Sequence, residues 1–81
     1  FENDRVRVLD VRLAPGAQSA RHAHPDGVWV LLAPMTARFT DERGVAADAA
    51  FPAGAVWRDA ETHAVENTGK TDLRAIAIEL K

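Results

Sequence analysis

Apolar residues recur at every second position along most of the chain, the period of a β-strand rather than the 3.6 of a helix. Val6 and Val8 alternate with Arg5 and Arg7, after which Leu9, Val11 and Leu13 take the opposite face, separated by Asp10 and Arg12. A change of face inside one run predicts a bulge, or a strand that leaves one sheet to join another. Pro15-Gly16 closes the run as a turn. Residues 18–24 read as a second strand, with Gln18, Ala20, His22 and His24 on one side and Ser19 on the other. After the turn Pro25-Asp26-Gly27, residues 28–33 are continuously apolar, as expected of a strand covered on both faces. Met35, Ala37 and Phe39 then alternate with Thr36, Arg38 and Thr40, and Asp41-Glu42-Arg43-Gly44 is a polar hairpin turn.

The second half is choppier. Residues 45–51 are alanine-rich and weak as a strand, and would also tolerate a helix until Pro52-Ala53-Gly54 ends the segment. Residues 55–58 and 62–66 are short strands, Asn67-Thr68-Gly69-Lys70 is a turn, and residues 73–80 close the chain with Ile76, Ile78 and Leu80 on one face. About eight short strands with turn signals between them predict an all-β antiparallel sandwich or barrel, with residues 1–81 as one domain.

Composition narrows the function classes. Ten basic and 12 acidic residues, scattered without runs, give a net charge of −2. That balance offers no basic surface for nucleic acid or for anionic lipid. The longest apolar run, Val28-Trp29-Val30-Leu31-Leu32-Ala33, is far shorter than the roughly 20 residues that span a bilayer. With no membrane segment and no signal peptide in view, the expected location is cytoplasmic. There is no cysteine, so neither a disulfide nor a thiolate ligand can support so small a core. Stability then has to come from packing, a bound metal or a partner subunit, and a homodimer is expected.

All three histidines fall into one pattern: His22-Ala23-His24, then His63 in His63-Ala64-Val65-Glu66-Asn67. On an extended strand His22 and His24 point the same way. A third imidazole from a distant segment would complete a three-nitrogen cap suited to a divalent transition metal (Fe, Zn, Ni, Mn or Cu).

These residues carry a family resemblance. Pro15-Gly16, five residues, then His22-Ala23-His24 is similar to the first motif of the cupins. Pro52-Ala53-Gly54, His63 and, three residues later, Asn67 is similar to the second. The resemblance covers essentially the whole chain. It implies a double-stranded β-helix, or jelly-roll, barrel that holds one metal ion and pairs as a dimer. The chain departs from the pattern twice. The glutamate expected four or five residues after His24 is replaced by Val28 and Trp29, and eight residues rather than two separate Gly54 from His63. A ligand set of His22, His24 and His63 alone still leaves coordination positions open. Cupins with three histidines include iron-dependent thiol dioxygenases, so the resemblance implies oxygenase-type or Lewis-acid chemistry on a small organic molecule. It equally accommodates a non-catalytic ligand-binding module, or a metal-dependent isomerase or lyase, because the fold hosts many chemistries.

Several other residues are candidates for the site. Glu61, two positions before His63, shares that histidine's face on a strand. It could serve as a substitute ligand, a partner to the histidine or a general base, or else stand in solvent on the preceding loop. Gln18 is expected to line the pocket beside His22 and His24. Asn67 is a candidate ligand contact, although asparagine so placed also ties down turns. Trp29, Trp57, Phe39 and Met35 could wall an apolar cavity or fill a plain core. Arg38 and Arg58 could reach an anionic ligand or lie on solvated strand faces. No phosphate-binding loop or nucleophile elbow is present.

Overall fold

A computed structural model describes all 81 residues, Phe1–Lys81. Eight strands follow one another: β1 (Val6–Leu13), β2 (His22–His24), β3 (Gly27–Leu31), β4 (Met35–Asp41), β5 (Ala46–Phe51), β6 (Gly54–Arg58), β7 (Glu61–Asn67) and β8 (Leu73–Leu80). They form two four-stranded antiparallel sheets, in the orders β1-β8-β3-β6 and β2-β7-β4-β5. Nearly every neighbour in a sheet is distant in sequence, which is the jelly-roll arrangement. No helix is long and apolar enough to cross a membrane.

Where the chain turns back on itself locally, the turn residues account for it. At the β4–β5 hairpin Asp41 Oδ1 accepts the amides of Arg43 and Val45, and Gly44 takes a positive φ of 84°. That tie sets the register Thr40↔Ala46 through Met35↔Phe51. It also holds residues 46–51 as a strand, overriding the helix tolerance of their alanines.

The first strand corrects the sequence-based expectation. It contains no bulge: β1 pairs with β8 without a break from Val6↔Leu80 to Leu13↔Leu73. Its two apolar sets simply serve two faces. Leu9, Val11 and Leu13 face inward with Leu73, Ala75 and Ala77 of β8, while Val6 and Val8 lie outward with Leu80 and Ile78. The inner face of β8 is therefore not the isoleucine face but Leu73, Ala75, Ala77 and Glu79, all buried. Ala77 sits between Leu9 and Trp29 in the register, so a small residue at the centre of the sheet is matched by large ones on either side.

Residues 18–24 also differ from expectation. Only His22–His24 form a strand, preceded by a single bridge between Gln18 and Glu66. The alternation slips by one residue between Ser19 and His22, because Ala20 and Arg21 are both exposed. Ser19 thus turns inward, and its Oγ accepts the Val65 amide at 2.9 Å.

Gly27 stands opposite both Glu79 of β8 and Arg58 of β6. A Cβ there would collide with the main-chain carbonyl oxygen of Ile78. Neither strand can yield without breaking ladder bonds. Gly27→Ala is therefore expected to destabilise the fold by about 1–3 kcal/mol, read as a drop of several degrees in the melting temperature. An unchanged midpoint would refute the close approach.

Candidate metal centre

The register of β2 against β7 builds the site. His22 lies directly opposite His63, and His24 opposite Glu61. Since residues opposite one another share a face, a three-residue strand suffices to bring two histidines onto the third. The ring centroids are 4.6 Å apart for His22–His24, 4.7 Å for His22–His63 and 5.3 Å for His24–His63. The corresponding interplanar angles are 81°, 85° and 78°. Three rings that are mutually almost perpendicular present edges to a common point rather than stacking.

Each ring is held from behind by a different group. His22 Nδ1 is 2.7 Å from the Ala20 carbonyl oxygen, which makes that nitrogen the donor. His24 Nδ1 is 2.5 Å from Glu79 Oε2, and both side chains are nearly buried. Trp29 meets the His24 ring edge-on at 5.1 Å. For His63, Glu61 Oε1 approaches Nδ1 to 2.9 Å, at an angle outside hydrogen-bonding geometry. Glu61 opens β7 on the face of His63, and its carboxylate takes both bonds from Arg58 Nη2, at 2.6 and 2.8 Å. Arg58 in turn lies 5.2 Å over the Phe39 ring.

What remains are orphans. His24 Nε2 and both ring nitrogens of His63 are buried with no hydrogen-bond partner. Burying polar atoms unpaired is costly unless something else satisfies them. One ligand nitrogen from each of His22, His24 and His63 lies within 4.8 Å of the others. Three nitrogens each about 2.1 Å from one ion lie about 3.0–3.4 Å apart in octahedral or tetrahedral geometry, so side-chain rotations that shorten the widest separation by about 1.5 Å close the trio. The residues fit a metal ion.

No family model matches the chain, and no curated protein matches it. Solved structures do. A cupin domain from Bordetella pertussis Tohama I superposes with a TM-score of 0.89 at 26% identity, covering 100% of this chain and 86% of that one. This chain has the fold of a small cupin domain. A conserved double-stranded β-helix protein from Klebsiella pneumoniae shares the fold at a TM-score of 0.74 and 19% identity, over 99% of this chain and 66% of that one. A Thermotoga maritima protein described as a predicted oxalate decarboxylase gives 0.59 at 28% identity, over 91% and 65%.

Within the cupin barrel, the remaining candidates separate clearly. Gln18 is exposed and takes no part in the cavity wall, because of the slip in alternation after Ser19. Asn67 is buried but lies away from the histidines. Its Nδ2 donates to the carbonyls of Leu13 and Thr71, and its Oδ1 accepts the Gly69 amide. A side chain fully engaged with backbone has nothing left for a ligand. Trp29, Met35 and Phe39 wall the cavity, but Trp57 lies on the outer surface, bonded to Asp59. Arg38 pairs with Asp48 in solvent. Glu79, Ser19 and Phe51 escaped the sequence reading. For Glu79 the signal was its position two residues beyond Ala77 and four beyond Ala75, on the small-residue face rather than the isoleucine face.

Burial and the neighbouring His22 and His24 rings push the His63 pKa down to about 4 in the metal-free chain, against the pull of Glu61. Desolvation is the largest cause. The unfolded chain takes up this proton near pH 6.5, where the folded one still refuses it. Stability of the metal-free protein should therefore fall as pH drops from about 6.5 towards 4, by at most about 3 kcal/mol from this residue. Chelator-treated wild type and His63→Gln, melted across that range, should diverge. Parallel curves would remove His63 as the cause.

Proposed function

We propose that this cupin domain holds one divalent transition metal through His22, His24 and His63 and uses it for oxygenase-type chemistry on a small organic molecule. The observation that carries this reading is the set of buried, unpartnered imidazole nitrogens converging at one end of an apolar cavity. Three neutral ligands leave the ion's charge uncompensated, which favours an anionic or electron-rich molecule beside it. When bound, such an ion supplies Lewis acidity and, if redox-active, electrons for oxygen chemistry.

The chain's own residues orient and insulate. Glu79 fixes the His24 ring, the Ala20 carbonyl fixes His22, and Trp29 and Phe39 exclude water from the histidines. Glu61 is the one carboxylate on the cavity wall, and it is neutralised by Arg58. A free general base, which an isomerase or lyase would need, is therefore not what the wall offers. This favours the oxygenase reading. Glu61 acts here as a partner to His63.

The purified protein should contain about one metal ion per chain, and His63→Ala should abolish uptake. Glu79→Gln should keep the fold yet weaken metal affinity roughly 10- to 100-fold, the usual cost of losing a carboxylate behind a histidine ligand. The iron(II)-loaded protein should bind nitric oxide, giving an electron paramagnetic resonance signal that reports an open position. Metal uptake without nitric oxide binding would point instead to a structural metal in a non-catalytic module.

We also propose a homodimer. The outer face of the β1-β8-β3-β6 sheet carries Val6, Val8, Val28, Val30, Ile76 and Ile78, with Trp57 51% and Leu80 41% exposed beside them. An apolar sheet face of this kind marks an interaction surface, and a two-fold pairing of identical faces is the commonest way to cover one. Sedimentation at tens of micromolar should give twice the 8.8 kDa protomer mass, with Trp57→Lys shifting the equilibrium to monomer. A wild-type protein sedimenting as a protomer would rule the dimer out.

A further inference from the structure

The cavity itself narrows the substrate. It encloses about 160 Å³ between the two sheets. Ten of its 16 lining residues are hydrophobic, among them Trp29, Met35, Phe39, Phe51, Val56 and Leu73. Of the polar liners, Arg12 is exposed to solvent and three others are committed elsewhere. Ser19 Oγ is taken by the Val65 amide, and Arg58 and Glu61 hold each other. The polar atoms left without a partner are imidazole nitrogens. The sheet registers put these at one end of the space. His63 pairs with Asp41 at the far end of β4 from Met35, which pairs with Phe51. The cavity is thus a mainly apolar chamber with its buried, unpartnered polar atoms at one pole.

Resting on the metal reading above, we infer that the site takes a compact, mainly apolar molecule about the size of one benzene ring, carrying one oxygen-donor head group that meets the histidine pole. The size follows from volume: a dry apolar cavity of about 150 Å³ accepts one benzene molecule. The apolar body follows from the wall, where a hydroxyl-rich or multiply charged molecule would bury groups with no partner. Sugar phosphates and small dicarboxylates are thereby disfavoured. The head group goes to the pole because the buried, unpartnered polar atoms are there, whereas the free cation on the wall, Arg12, is exposed to solvent.

Two independent arms test this. In the metal-free protein, benzene should shift the methyl resonances of Met35, Val56 and Leu73 while leaving those of Val30 on the outer face unchanged. In the zinc-loaded protein, benzoate should bind at least about tenfold more tightly than acetate by calorimetry, because its ring buries apolar area that acetate lacks. Glucose 6-phosphate should bind more weakly than benzoate. Val56→Phe, which fills the chamber, should erase the advantage of benzoate over acetate while retaining one zinc per chain. The inference is overturned if benzene leaves the cavity methyl groups unmoved, if acetate matches benzoate, or if the sugar phosphate binds more tightly. Failure to take up zinc counts against the metal reading alone, and the benzene arm still decides the cavity. If Val56→Phe does not fold, the ligand series on wild type decides.

Discussion

Three imidazoles cannot be brought together in a buried place without something to satisfy their nitrogens, and the architecture around them is organised by that constraint. His63 is almost fully buried, and neither of its ring nitrogens has a hydrogen-bond partner. Leaving a polar atom in that state costs on the order of 1–3 kcal/mol. That is a large fraction of what a domain of this size can hold in reserve. The compensations are visible nearby: a carbonyl behind His22, a carboxylate behind His24, and an ion pair standing beside His63.

The charges around the trio follow a layered order. The converging ring edges face one another with no protein carboxylate among them, and the negative groups sit behind the rings. Glu79 bonds His24 directly, whereas Glu61 is shared between Arg58 and His63. A carboxylate on the far side of an imidazole raises its basicity and fixes which nitrogen is presented, without occupying a coordination position. This chain lacks the acidic residue that the family pattern places after His24, having Val28 and Trp29 instead. Trp29 contributes a cavity wall and an edge contact to His24 where a ligand would otherwise stand.

Much of this was legible in the sequence because period-two alternation and the histidine spacing are local signals. The eight strands, the β4–β5 turn at Asp41–Gly44 and the histidine trio all follow from short stretches read alone. What was not legible is what depends on pairing between distant strands. The slip between Ser19 and His22 is invisible until β2 is set against β7, and it sends Gln18 outward and Ser19 inward. β8 misleads because both its faces are hydrophobic. Its larger residues, Ile76 and Ile78, lie outside, and the alanines mark the inside because they face Leu9, Trp29 and Leu31 across the sheet. The tie of Asn67 to the β7–β8 turn was legible from its residue type, but its bond to the end of β1 was not.

Gly27 has a consequence for how such a chain can change over generations. It stands opposite Glu79 on one side and Arg58 on the other, but the atoms a side chain there would meet belong to the main chain of Ile78 and Glu79. The glycine thus sets how closely β3 and β8 approach, whatever side chains flank it. Glu79 steadies His24, and Arg58 restrains Glu61 against His63. These contacts run between side chains and do not involve the glycine. A lineage that gives up its histidines is released from keeping the glycine's neighbours charged. The glycine answers to the backbone, so position 27 should stay fixed even in lineages where positions 24, 58 and 79 drift.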